Sequence, residues 1–178
     1  MPLTLIVGCM FSGKTTEMLR QVDRLAAIKK KVLIVHSVVD TRIKNSRVHI
    51  HAETSRISKQ YKYIKQIPFD EYDAVAIDEG QFFPDIMDII PYLDNTIVMI
   101  SALNGTAEKK NFGKIHELMP HADDIIFKKA YCGMCVDTIS PAPFTKRLAQ
   151  QHGNTIDIGA SDKYIAVCRK CHSLKFSI

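Results

Sequence analysis

A chain of 178 residues with 46% hydrophobic and 24% charged residues has an ordinary globular composition, long enough for one sizeable domain with a small appendage. No apolar run approaches the length of a membrane-crossing helix, and the N-terminus lacks the basic-then-apolar pattern of a secretion signal, so the expectation is a cytoplasmic protein with no membrane partner. The net charge of +5 is too modest to imply nucleic acid, and four of the five cysteines fall into two C-x-x-C pairs, which in a reducing compartment suits a metal better than disulfides.

The chain opens with an apolar run, Leu3 to Val7, that predicts a buried strand. Gly8 follows, then four residues, then Gly13, Lys14 and Thr15. Beyond them Met18, Leu19, Val22, Leu25 and Ile28 recur at spacings of three and four, the pattern of a helix. Strand, glycine-bearing loop and helix in this order form the context of a phosphate-binding loop. Its residues, Gly8, Cys9, Met10, Phe11, Ser12, Gly13, Lys14 and Thr15, are candidate contacts for a nucleoside triphosphate. The glycines let successive N–H groups point inward, and the helix adds its N-terminal dipole at the same spot. Lys14 can reach the β- and γ-phosphates, and the Thr15 hydroxyl can ligate Mg²⁺.

Val32 to Val35 predicts a second buried strand, parallel to the first. The polar stretch from Ser37 to Arg47 leaves its C-terminal end, where open α/β sheets place ligands. Arg42 is therefore a candidate phosphate contact, a solvated loop arginine being the equal alternative. Val48 to Gln60 has no clear period, and His49 and His51 within it do not read as ligands. Tyr61 to Phe69 is expected to hold a short helix ending near Pro68.

Ala74 to Ile77 predicts a strand that ends in Asp78-Glu79. In a phosphate-loop protein a carboxylate here holds Mg²⁺, the role expected of Asp78, and Glu79 beside it can act as a base. Of the aromatic pair that follows, Phe82 and Phe83, one is expected in the core and one beside a pocket. Pro84 to Leu93 and Gly113 to Met119 read as helices and Thr96 to Ile100 as a strand. Ser101 to Thr106 reads as a loop on the ligand face, and Asp124 to Ala130 as a strand leading out of the main sheet.

The tail changes character. Cys132/Cys135 and Cys168/Cys171, separated by 32 residues, predict a structural tetrahedral zinc site, with His172 as a substitute for Cys171. Ser140 to Gly153, with two prolines, reads as a loop, Thr155 to Ile158 as a strand and Gly159 to Tyr164 as the start of a turn. The boundary therefore falls at 130/131, giving an ATP-binding α/β domain over 1–130 and a zinc-binding domain over 131–178.

These parts allow three chemistries. In a hydrolase or motor, Glu79 would activate water; in a kinase, it would face a substrate hydroxyl. A nucleic-acid-binding ATPase with a zinc ribbon would want a basic face studded with aromatics. The tail offers Lys146, Arg147, Arg169 and Lys170 but few aromatics, so this reading ranks third.

Gly8-Cys-Met-Phe-Ser-Gly-Lys-Thr15, Asp40-Thr-Arg42, Asp78-Glu-Gly-Gln-Phe-Phe-Pro-Asp85, Leu103-Asn-Gly-Thr106, Phe112-Gly113, Thr145-Lys-Arg147 and Asp162-Lys-Tyr164, with the two cysteine pairs, resemble type II thymidine kinases from Leu3 to Cys171. The resemblance implies a RecA-like P-loop NTPase fold, a parallel sheet flanked by helices with a small C-terminal zinc-ribbon or lasso domain. It implies transfer of phosphate from ATP to thymidine. Glu79 would be the base, and Arg42, Asp78 and Gln81 would join the phosphate loop in serving ATP–Mg²⁺. Met10, Phe82, Leu103, Phe112, Thr145 and Tyr164 would surround the nucleoside, with Ile156, Asp157, Ile158 and Gly159 of the tail loop holding the base through main-chain groups. The family pattern further implies a homotetramer inhibited by dTTP. Many members carry an aromatic where this chain has Ala107 and a second glycine where it has Ala160.

Overall fold

The computed structural model describes residues 2–40, 56–148 and 163–174. Its main feature is a six-stranded sheet of β1 (Leu3–Gly8), β2 (Val32–Ser37), β3 (Arg56–Tyr61), β4 (Ala74–Ile77), β5 (Ile97–Leu103) and β6 (Asp124–Lys128). The strand order is β3-β2-β4-β5-β1-β6, and every pairing is parallel. A parallel sheet is covered on both faces, which explains why its strands are nearly continuous apolar runs. In β1, Leu3, Leu5 and Val7 face one core while Ile6 faces the other. The larger core adds Phe69, Phe83, Ile86, Ile89, Ile115 and Leu118 from the connections. The smaller one is closed by α1 (Lys14–Ala27), whose Met18 and Val22 are fully buried one turn apart.

β5 separates β1 from β4, so the turns leaving these two strands lie at the same C-terminal edge of the sheet with one strand between them. That edge is where a parallel sheet presents its ligand site.

The tail carries two small antiparallel pairs. β7 (Ala130–Tyr131) pairs with β8 (Pro141–Ala142), and β9 (Phe144–Arg147) pairs with β10 (Tyr164–Val167), which is followed by the short α2 (Arg169–Ser173).

Several expectations are corrected. The strand expected to lead out of the sheet is instead its edge, because β6 pairs in register with β1 from Thr4↔Asp124 to Gly8↔Lys128. The segments read as helices after Pro84 and Gly113 are 3₁₀ turns, Ile86–Tyr92 and Ile115–His121. Pro91 and Pro120 lie within them, and a proline cannot supply the N–H of an i→i−4 bond. The helix expected within 61–69 is likewise a pair of short 3₁₀ turns, Ile64–Gln66 and Phe69–Glu71. The unassigned run before Tyr61 ends in β3, and β5 continues through Ser101 to Leu103 where a loop was expected. The expected loop over 140–153 contains β8 and β9. Arg42, His49, His51, Ile156, Asp157, Ile158, Gly159 and Ala160, with the strand expected over 155–158, lie outside the described residues.

Candidate active site and metal centre

β1 delivers the chain into a loop that tolerates no bulk at its first residue. A Cβ on Gly8 would lie 2.3 Å from the Lys128 carbonyl oxygen of β6 and 2.8 Å from Ser12 Oγ. At the far end Gly13 adopts φ 77°, the left-handed geometry that lets the chain enter α1 without a side-chain penalty. Between them Cys9 and Ser12 are buried, Met10 is half-buried and Phe11, itself at φ 63°, is 53% exposed. The loop's internal bonds converge on Cys9. Its carbonyl accepts from Ser12 Oγ and from Lys14 Nζ, each at 2.8 Å. Lys14 is thus buried and folded back over the loop, in position to exchange a carbonyl for phosphate oxygens.

The second element is the end of β4. Asp78 is 7% exposed, and the Thr15 hydroxyl donates to it at 3.0 Å (Oδ1) and 3.3 Å (Oδ2). Ser101 Oγ makes a short hydrogen bond to the same Oδ1, and the Glu79 N–H approaches it at 3.2 Å. His36, at the end of β2, brings Nδ1 to 3.9 Å from Oδ2, and neither ring nitrogen has a hydrogen-bond partner among the described residues. Burial, reinforced by the Glu79 charge, pushes the Asp78 carboxyl above its ordinary value, and burial holds His36 below its own. Thr15 and Asp78 thus set a hydroxyl beside a carboxylate, oxygen donors of the kind that a hard divalent cation takes.

Glu79 follows in a left-handed conformation, φ 53° and ψ 48°, that redirects its carboxylate away from the strand direction. Gln81 fixes it there. Its Nε2 donates to Glu79 Oε2 at 2.6 Å, and its Oε1 accepts the Leu103 N–H at 3.0 Å. Gly80 between them leaves room for the sheet, since a Cβ would meet Ile100 Cγ2 at 2.5 Å. Gln81, expected among the phosphate contacts, is therefore placed against Glu79. Of the aromatic pair, Phe83 is core, and half-buried Phe82 meets Phe112 edge to face at 5.7 Å. Gly113, at φ 58°, presses on the Gln81 backbone, where a Cβ would lie 2.7 Å from the Gln81 carbonyl oxygen.

The tail reaches the same edge. The Met10 N–H donates to Thr145 Oγ1 at 3.0 Å, and Asn104 Nδ2 donates to the Pro143 carbonyl at 3.1 Å. Buried Tyr164 accepts from Arg147 at 3.2 Å. Lys146, read from the sequence as part of a basic face, is buried, donating to the carbonyls of Cys171 and Leu174. Arg169 lies over the Phe144 ring at 4.9 Å.

The sulfurs of Cys132, Cys135, Cys168 and Cys171 all lie within 4.8 Å of one another. Cys135 Sγ is 3.9 Å from Cys168 Sγ and 3.6 Å from Cys171 Sγ. A tetrahedron of Zn–S bonds near 2.3 Å has edges of about 3.8 Å, so the spacing fits. Desolvation and the neighbouring sulfurs push the Cys171 thiol up to about 12, while at Cys132 desolvation is outweighed by hydrogen bonds from the Cys168 and Met134 backbone and the neighbouring thiols, which bring it down to about 6, so the sulfurs compete for protons when no cation holds them. His172 turns elsewhere, its Nε2 meeting the Ala107 carbonyl at 2.8 Å, and the cluster contains Cys171.

Sequence reasoning missed His36 and Ser101. Both are polar residues at or near the C-terminal ends of apolar strands, a weak signal that becomes specific only once the strand order sets them beside Asp78.

A family model described as thymidine kinase matches residues 1–172. The chain is 34% identical over 177 residues to the cytosolic thymidine kinase of Gallus gallus, covering 97% of this chain and 77% of that one. It is 36% identical over 171 residues to the thymidine kinase of Myxoma virus (strain Uriarra), covering 94% of each. To thymidine kinase 1 of Dictyostelium discoideum it is 35% identical over 179 residues, covering 96% of this chain and 77% of that one.

Proposed function

The chain belongs to the thymidine kinase family, and on that premise we propose that its site transfers the γ-phosphoryl group of ATP to the 5′-hydroxyl of thymidine, giving dTMP for DNA precursor supply. Loop N–H groups between Gly8 and Thr15, other than the Met10 N–H held by Thr145, and the start of α1 receive the triphosphate, and Lys14 leaves the Cys9 carbonyl for the phosphate oxygens. Mg²⁺, held through Thr15 and Asp78, would neutralise charge on the β- and γ-oxygens. Glu79 orients the 5′-hydroxyl for in-line attack. The bond from the 5′-oxygen to Pγ forms as the bond from Pγ to the ADP oxygen breaks, and the hydroxyl proton passes late to Glu79. Met10, Phe82, Leu103, Phe112, Thr145 and Tyr164 surround the nucleoside, and the family resemblance assigns the base to main-chain groups of Ile156 to Gly159, which lie outside the described residues.

One observation carries this reading. Two consecutive carboxylates leave β4, one tied to the phosphate loop through Thr15 and the other turned away and fixed by Gln81. That separates a cation ligand from a base. The four cysteines offer sulfur only, so the zinc they would hold is structural. The reading extends to an ATP-binding domain over 1–130 with a zinc-binding domain over 131–178, a homotetramer, inhibition by dTTP and a cytoplasmic location. Among the described residues no helix is long and apolar enough to cross a membrane. The nucleic-acid ATPase alternative loses ground because Lys146 is buried and Arg169 is packed on Phe144.

The test is ADP release with and without thymidine. Thymidine-dependent release supports the kinase; thymidine-independent hydrolysis stimulated by DNA replaces it with the ATPase.

A further inference from the structure

Cys9 stands outside the four-cysteine cluster, and no chemical step uses its thiol. It is nevertheless fully buried, second in the phosphate loop. Its Sγ donates to the Ala142 carbonyl at 3.0 Å, across 133 residues of sequence. Its apolar neighbours are those of the tail: one buried cluster holds Cys9 together with Cys132, Ala142, Ala166, Val167 and Cys171. The phosphate loop thus sends one side chain into the core around the metal centre. The same residue's carbonyl is where Ser12 and Lys14 are tied.

Ala142 is placed by the metal centre in turn. It lies on β8, paired with β7, and Cys132 leaves β7 with its N–H bonded to the Ser140 carbonyl at 2.8 Å. Gly133, between the first two cysteines, donates to Ala166 of β10 at 3.0 Å. If the four sulfurs lost a shared cation, this hairpin would lose that anchor and the acceptor for Cys9 would be free to shift with it.

We propose that Cys9 is a positioning residue that couples cation occupancy of the four-cysteine cluster to triphosphate binding. The bound cation holds β7 and β8, Ala142 holds Cys9, and Cys9 holds the loop in its receptive shape. Coupling between two binding equilibria is reciprocal, so nucleotide must tighten the cation by the factor by which the cation tightens nucleotide. The proposal rests on the readings of the loop and the cluster given above.

The experiment measures at equilibrium how zinc partitions between the full-length, zinc-loaded chain and a chromophoric chelator, with and without the β,γ-methylene analogue of ATP and Mg²⁺. The expected result is a zinc dissociation constant about tenfold lower with the analogue, within the usual range of about 5- to 150-fold for coupled sites. In Cys9→Ala the ratio falls to near one. Cys9→Ser keeps a donor toward Ala142 and restores much of it. The analogue's dissociation constant, measured on loaded and zinc-stripped chain, should change by the same factor. A zinc-loaded chain that binds the analogue yet shows a ratio of one, or an unchanged ratio in Cys9→Ala, overturns the coupling alone. A purified chain that carries no zinc, by metal analysis, overturns the reading of the cluster and the coupling with it.

Discussion

Gln81 grips Glu79 at 2.6 Å with its amide nitrogen while its amide oxygen is held by the Leu103 N–H, so the Glu79 carboxylate, at the end of β4, is aimed by β5, the strand that lies between β4 and the β1 that carries the phosphate loop. Leucine at position 81 removes both bonds at nearly the same size. We expect kcat to fall about ten- to a hundredfold with little change in KM for ATP, because a misplaced base costs the chemical step more than the binding of its substrate. The Leu103 N–H loses its partner as well, at about 1–3 kcal/mol if no water replaces it, so a lower melting temperature should accompany the loss.

Glu79→Gln keeps size and removes the proton acceptor. Turnover should fall by about 10²- to 10⁴-fold while the ATP analogue still binds with its original affinity. Turnover within a few fold of the original would remove Glu79 from the base role.

Asp78→Asn leaves the Thr15 and Ser101 hydroxyls facing an amide in place of a carboxylate. The Mg²⁺ concentration for half-maximal activity should rise at least about tenfold, with a smaller rise for Thr15→Val, since hard cations depend on anionic oxygen. A Mg²⁺ titration of the steady-state rate reads this directly.

On the surface, Asp73 accepts from Lys30 Nζ at 2.9 Å and from the Lys31 N–H at 2.8 Å, and these bonds hold its carboxyl below the ordinary aspartate value of 3.8. A depressed folded-state pKa favours folding in full above the unfolded value and loses that contribution as pH falls through the folded one. Urea midpoints of the original and Asp73→Asn chains should therefore differ by a constant amount from neutral pH to about pH 5 and converge below about pH 4. Because the pair is exposed, 1 M salt should shrink the difference at every pH.

The phosphate loop and the Asp78-Glu79 strand end were legible in sequence because their chemistry is local: the spacing of Gly8, Gly13 and Lys14 prescribes the backbone that performs it. What sequence misread was set by partners distant in the chain. β6 alternates half-buried and exposed residues, as a strand on any sheet would, and only its register with β1 makes it an edge of the main one. Ile86, Ile89 and Ile90 have helical spacing, and the proline after them turned the segment into a 3₁₀ coil that buries Ile86 and Ile89 and leaves Ile90 half-buried. Pro141 argued for a loop, yet it heads a two-residue strand, where a missing N–H is tolerated. His36 and Ser101 became site residues only because β2 and β5 both neighbour β4.

The bond between Cys9 and Ala142 also orders events in time. The residues of the loop leave the ribosome early, and the partner that seats them is synthesised 133 residues later. At about 5–20 residues per second, the nascent chain carries the Cys9 thiol without this partner for roughly 7 to 27 seconds. β1 waits similarly for β6, whose pairing is as remote. The loop thus gains the Cys9 bond only once Ala142 has been made, so a chain interrupted before that residue would hold the motif without its seat.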